Sequence, residues 1–168
     1  WGYKLAAFLM FLLPALVGFV LSFRDPAAVA EFLPIMHGVL DDIQNGREWW
    51  KGINDQGRAF SSSSIMTNNI RVTFTAFAGG ITLGLLTLYV LAFNGIFLGS
   101  VAGAAQLEGF AGNLWGFVAA HGVIELSVIF IAGGAGLQLG WSLLRPGLHT
   151  RRTALVVATR RAVQILFG

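Results

Sequence analysis

The chain has 168 residues, 55% of them hydrophobic and 11% charged, with a formal net charge of +3 and a mean hydropathy of +0.71. Soluble domains carry roughly 25% charged residues, so the composition excludes an ordinary soluble globule and predicts a membrane protein with one domain, residues 1–168. Cysteine is absent, which excludes disulfides, thiolate metal sites and cysteine nucleophiles.

Residues 3–22, "YKLAAFLMFLLPALVGFVLS", are long enough to cross a hydrocarbon core about 30 Å thick. Pro14 is a kink that neighbouring helices can accommodate. No small-residue cleavage site followed by a soluble domain marks this run as a signal peptide. Residues 23–66 are polar by comparison, with six acidic and four basic residues, Pro26, Pro34 and a "SSSS" run; they read as a loop region outside the bilayer. Within it, "EWWKGINDQGRAF" sets Trp49 and Trp50 beside charges, which predicts an interfacial helix. A second span is expected over about 70–92, with the Asn94-Gly95 dipeptide as the turn that closes it.

"IFLGSVAGAAQL" follows, an apolar stretch broken at Glu108, and reads either as a complete span or as a re-entrant segment. The long run from Leu114 to about Leu144 is the last full span. Beyond it, Arg145, Arg151, Arg152, Arg160 and Arg161 stand with no acid among them, and "RRTALVVATRRAVQILFG" reads as an amphipathic surface helix entering another apolar rise. Four crossings put these arginines on the side of Lys4 and the net-acidic 23–66 region opposite, as the positive-inside rule requires. A re-entrant 95–107 would break that arrangement. The basic residues gather at a membrane edge and do not alternate with aromatics, which argues against nucleic acid. Trp1 in place of an initiator methionine, and an end within an apolar rise, lead to the expectation that this is a piece of a longer protein.

Small residues recur at four-residue spacing: Ala76, Gly80 and Gly84; Gly95, Gly99 and Gly103; Gly112, Gly116 and Ala120; Ala132, Gly136 and Gly140. Lipid gives little hydrophobic drive for helices to associate, so close backbone approach through such faces is the expected packing device. Positions eleven apart nearly coincide on a helix at 3.6 residues per turn, so His121 lies over Ala132 and Glu125 over Gly136. The pair therefore faces other helices. A charge near the bilayer centre costs on the order of 2.5–3.5 kcal/mol on insertion scales, so partners are required. The readings open for the pair are an interhelical clamp, in which Glu125 accepts or donates a hydrogen bond while His121 bonds a carbonyl or the amides of Asn68 or Asn69, a proton or cation site, a metal site, or a catalytic dyad.

The zinc-protease pattern HExxH is absent, since Gly122 and Glu125 occupy its second and fifth positions. A serine nucleophile at Ser100 with His121 as base would need a built site, and "LGSVAG" reads more economically as packing.

The run "SSIMTNNIRVTFTAFAGGITLG", then "FNGIFLGSVAG", then "LWGFVAAHGVIELSVIFIAGGAGLQLGWSLLRPG" and "RRTALVVATRRAV" resembles the stage II sporulation protein M family of integral membrane proteins. The resemblance covers about residues 57–168. It rests on Asn68 and Asn69, Phe77 with Gly79 and Gly80, Asn94 and Gly95, Gly99, and His121 with Glu125 and Leu126. It implies a membrane scaffold acting in an engulfment complex with a peptidoglycan hydrolase in spore formers. In other bacteria it implies association with a MoxR-type AAA+ ATPase and von Willebrand-type proteins. Long relatives carry a helical soluble region before the first span and more membrane helices after the arginine-rich segment. No catalytic residues come with it.

The expectation is thus an all-α polytopic transmembrane bundle of about four spans in a bacterial cytoplasmic membrane, with an extracytoplasmic loop and a basic cytoplasmic segment over 145–168. It would act as an assembly scaffold of an envelope complex, with no cofactor, no metal and no enzymatic activity of its own. The rival is a transport component using His121 and Glu125. The sequence names neither partner nor oligomeric state.

Overall fold

The computed structural model describes residues 2–47, 58–148 and 150–167, and within these the side chains other than those of 58–65, Asn113, Phe117, Ala120, His121 and 161–167. Among the described residues every regular element is helical: α1 (Gly2–Arg24), α2 (Pro26–Phe32), α3 (Met36–Gln44), α4 (Arg58–Ala78), a 3-10 turn (Gly79–Thr82), α5 (Leu85–Leu107), α6 (Ala111–Leu144) and α7 (Arg151–Phe167). Among the described residues three segments are long and apolar enough to cross a membrane: Gly2–Arg24, Leu85–Leu107 and Gly122–Leu144. Most of α1 away from its partners is exposed apolar surface, including Leu5, Leu13, Leu16 and Leu21. That is what lipid requires of an outer face.

The directions of the helices follow from which residues meet. Gly95, Gly99 and Gly103 of α5 face the carbonyls of Phe11, Ala15 and Phe19 of α1 in the same order, so α1 and α5 run parallel. Gly133 of α6 meets Leu91 and Ala7, and Gly140 meets Gly84; α6 is antiparallel to both. Ala76 and Thr87 are joined across the 3-10 turn, so α4 is antiparallel to α5 and parallel to α6.

Two clusters fill the interior. Ala7, Leu91 and Ile129 form one, with Val72, Leu126 and Leu137 against it, and Phe130 meets the rings of Phe8 and Phe11 edge-on at 5.4 and 5.2 Å. At the far end, α2 and α3 lay Val29, Ala30, Met36, Leu40 and Ile43 over Val101, Ala102, Ala104 and Ala105 of α5 and Leu114 of α6. Asp25 starts α2 by accepting from the Ala28 amide at 2.9 Å, with Pro26 at the first helical position where its missing N–H costs nothing. At the end of α3, Arg47 donates to Asp42 at 2.8 Å and also pairs with Asp41. These hydrogen bonds raise the Arg47 pKa further above its usual value.

Two sequence expectations are corrected here, and a third lies outside the described residues. Residues 23–66 are not a plain loop, because α2, α3 and the start of α4 lie in them. The interfacial helix expected around Trp49 and Trp50 falls mostly on 48–57, outside the described residues. The expected span over 70–92 closed at Asn94-Gly95 is replaced by a break at 79–84, and Asn94-Gly95 sits inside the uninterrupted α5. The break is carried by Leu83 and Gly84, both left-handed with φ of 60° and 86°, whereas Asn94 turns its amide back onto the Val90 carbonyl at 2.7 Å. Residues 95–107 are thereby the second half of α5 and no separate segment.

Candidate functional site

Polar side chains along α4, α5 and α6 mostly find partners within the bundle. Thr73, Thr75, Ser127 and Asn94 donate to carbonyls four residues back, and Ser142 donates to the carbonyl three back. This is how hydroxyls and amides are accommodated in lipid without disturbing a helix. Thr87 and Asn69 reach another helix instead. Thr87 Oγ1, wholly buried, donates to the Ala76 carbonyl at 2.7 Å. Asn69 Nδ2 of α4 donates to Glu125 Oε2 of α6.

The Asn69–Glu125 bond is the centre of the candidate site. Both residues are half-buried, and Glu125 lies inside the candidate span Gly122–Leu144. A carboxyl group there must be neutralised or held by donors, and Asn69 supplies one donor while leaving the other carboxyl oxygen for a second partner. The remaining sequence candidates disperse. Asn68, one residue earlier on α4, is exposed and points away from the seam that Asn69 enters. Asn94 is engaged on its own helix. The backbone of His121 is helical within α6, one turn before Glu125, and its side chain lies outside the described residues. Among the described residues, no three His, Cys, Asp or Glu side chains gather where they could hold a metal.

The glycine stripes divide sharply. A Cβ at Gly95, Gly99 or Gly103 would overlap the α1 backbone, and one at Gly80 would overlap Gly136 and come within 2.7 Å of Leu139. At Gly140 an added Cβ would stand 2.5 Å from the Gly84 amide nitrogen. Gly84 itself has its nearest neighbours at 3.8 and 3.9 Å, and glycine is used there for its positive φ. Gly112 and Gly116 meet nothing within 4 Å, so these two members of the expected stripe make no close contact. The spacing rule is blind to whether a neighbour is present.

Ser22 and Ser100 were not singled out as structural polar groups by sequence, yet both are wholly buried at the α1–α5 seam with hydroxyls that have no partner. Ser100 Oγ lies 2.9 Å from where a Gly18 Cβ would be, so it serves as a small residue in tight packing, and the nucleophile reading finds no support in this geometry. Its place beside Gly99 was the available signal. At the opposite end of the bundle Arg145 lies over the Trp141 ring at 4.9 Å. Arg151, Arg152 and Arg160 are exposed on α7 while Ala154 and Ala158 are buried; the side chain of Arg161 is outside the described residues.

The fold and its polar seams define an all-helical membrane protein whose helices are joined through glycine faces and a few interhelical hydrogen bonds. The chain belongs to the stage II sporulation protein M family, whose model matches residues 7–168. It is 35% identical over 85 residues to an uncharacterised protein of Methanocaldococcus jannaschii, a match covering 50% of this chain and 48% of that protein, so the chain spans about half of that relative. No solved structure matches.

Proposed function

We propose that this chain is a scaffold or assembly component of a bacterial cell-envelope complex, seated in the cytoplasmic membrane and without catalytic activity of its own. In this reading α1, α4, α5 and α6 all traverse the bilayer, the α2–α3 end faces outward and α7 lies on the cytoplasmic surface. Its partners are other envelope proteins. A peptidoglycan hydrolase complex or a MoxR-type AAA+ ATPase system is the kind that family membership suggests.

The observation that carries the reading is the Asn69–Glu125 bond. The acid within the last candidate span is used to join α4 to α6, the interior is closed by glycine-to-backbone contact, and a rigid platform for other proteins is what such a construction supplies. A conduit would need Glu125 free to exchange its proton or bind a cation.

The test compares Glu125→Gln with Glu125→Leu in the full-length protein, reading complex recovery and proton or cation flux in liposomes. A clamp survives as Gln, which keeps a hydrogen-bonding amide, and is lost as Leu, which strands Asn69 at a cost of about 1–3 kcal/mol. Wild-type flux that disappears in Glu125→Gln with assembly intact would overturn the scaffold reading in favour of transport.

A further inference from the structure

Helix α4 presents two kinds of surface to its surroundings. Ile70 and Phe74 are exposed and apolar, which suits lipid. Asn68, Arg71 and Thr75 are exposed as well, and at 100° per residue they fall within about 60° of one another, on a different face. By register alone that face continues to Ser64 and Ser61.

Neighbouring contacts give the depth of Arg71. Ala76 accepts from Thr87, near the start of the candidate span Leu85–Leu107. Arg71 stands five residues, about 7.5 Å by helix rise, farther along α4 toward the α2–α3 end. Against α6 it lies between Asn69, which is bonded to Glu125, and Ala76, which abuts Gly136. Lys4, at Gly134 of α6, is nearer the basic end than the level of Asn69 and Glu125. Helix side chains lean toward the N-terminus, which for α4 is the α2–α3 end, so helix geometry does not carry the guanidinium back to the closer, arginine-bearing surface.

A guanidinium keeps its charge where a carboxyl can shed its own, and among the described residues Arg71 enters no ion pair, both of those found belonging to Arg47. A charge facing lipid at that depth requires a complement. A second copy of this chain does not supply it. Two copies meeting through α4 about an axis along the membrane normal would set Arg71 near Arg71. Glu125 is the sole acid in the sequence of α1, α4, α5 and α6, and Asn69 already engages it.

We propose that, with α4 traversing the bilayer as in the function proposed above, its Asn68–Arg71–Thr75 face docks a transmembrane helix of another protein that sets an Asp or Glu at the depth of Arg71. The guanidinium takes the carboxylate through two parallel N–H···O bonds, and Asn68 offers an amide beside it. Thr75, its hydroxyl turned back onto the Arg71 carbonyl at 2.7 Å, keeps the face small enough for a helix to approach closely. Removing either charge strands the other in the membrane, so the pair selects the partner.

The test places the photo-crosslinker benzoylphenylalanine in the full-length protein in native membranes. Thr67 and Ala78, exposed at the rim of the face, are the probe positions, and Leu16 on the exposed apolar side of α1 is the reference. Both rim positions should give an adduct with a different protein, and Leu16 with lipid alone. The captured peptide, sequenced by mass spectrometry, should be an apolar segment containing an Asp or Glu. Adduct yield should fall at least about tenfold in Arg71→Leu, which leaves the partner's acid unpaired, with the unfolding midpoint in detergent kept. Changing that acid to Arg should abolish the adduct, and combining the change with Arg71→Glu should restore it.

An adduct indifferent to Arg71→Leu, or a captured segment with no acid, would overturn the proposal. So would adducts confined to lipid, to a second copy or to another part of the same chain, and so would a collapsed midpoint in Arg71→Leu, which would assign the arginine to this chain's own fold. Single cysteines in this cysteine-free chain separate this result from the traversing reading of α4. Asn68→Cys labelled by an impermeant maleimide as fast as Glu31→Cys would put the face in water and overturn both. Asn68→Cys protected, with lipid adducts only, would overturn the docking alone.

Discussion

Gly99 and Gly112 look alike in the sequence, each part of a small-residue series at four-residue spacing, and differ in what stands opposite. Gly99 is pressed against the Ala15 backbone, while Gly112 meets nothing within 4 Å. Gly99→Leu should therefore abolish the detergent-stable folded bundle, since a side chain there drives α1 and α5 apart and lipid does not press them together again. Gly112→Leu should leave the unfolding midpoint in detergent nearly unchanged. Equal loss in both would show that the second stripe is also packed. Thr87 makes the same point for polar residues. Its bond to Ala76 is eleven positions away and across a turn, so no local spacing announces it. Thr87→Val, nearly isosteric, should lower stability by about 1–3 kcal/mol by leaving a buried carbonyl without a donor, measured by the same unfolding assay. Asn69–Glu125 was half-legible: an acid in an apolar run demands a partner, but the sequence reading assigned the two adjacent asparagines to His121 and left the partner of Glu125 open. A single residue step, about 100° on a helix, decides between them.

The helices themselves were legible because apolar length and glycine spacing are local properties, but their joints were not. Asn-Gly is a strong turn signal in water. Inside α5 it is overridden, since Asn94 can satisfy its amide on the Val90 carbonyl and Gly95 is needed for the approach of Phe11. The true joint lies at Gly79–Gly84, where the chain uses two glycines at the 3-10 turn, a left-handed Leu83 and a left-handed Gly84. Gly84→Ala should thus destabilise the hairpin by roughly 1–2 kcal/mol, the cost of a side chain in the left-handed region. Asn94→Leu should be close to neutral, because it removes only a bond the side chain makes to its own helix. Thermal unfolding of the two variants in detergent separates the two joints: a large loss in Asn94→Leu and none in Gly84→Ala would restore the turn to Asn94-Gly95. The low apolarity of α4 also follows from position. It contacts α6 and α5 through Asn69, Val72 and Ala76 but exposes Asn68, Arg71 and Thr75 on its other side, so it lacks the all-round apolar surface of α1 and is not among the three candidate spans.

At the scale of the whole molecule, charge is distributed by end. The α2–α3 end holds Asp25, Glu31, Asp41 and Asp42, with Glu108 at the α5–α6 connection, while the opposite end holds Lys4, Arg145, Arg151, Arg152 and Arg160 with no acid. The directions of α1, α4, α5 and α6 are compatible with this division, since α1 rises from the basic end, α4 returns, α5 rises and α6 descends. Arginine and lysine near span ends bias orientation because they resist transfer across the bilayer, and each also gains about 1 kcal/mol near an anionic lipid surface. If that bias sets the orientation, removing it without disturbing the packed faces should leave the fold intact and its direction mixed. The exposed positions Arg151, Arg152 and Arg160 can be changed together to Gln while Ala154 and Ala158 keep α7 seated on α6. Expressed in cells with Thr150→Cys as reporter, the parent should label from the cytoplasmic side alone. The triple variant should label partly from outside, with the unfolding midpoint preserved. Retention of a single orientation would assign the direction to Lys4, Arg145 and the acidic end, and a collapse in stability would show that these arginines hold α7 in place and do more than orient the chain.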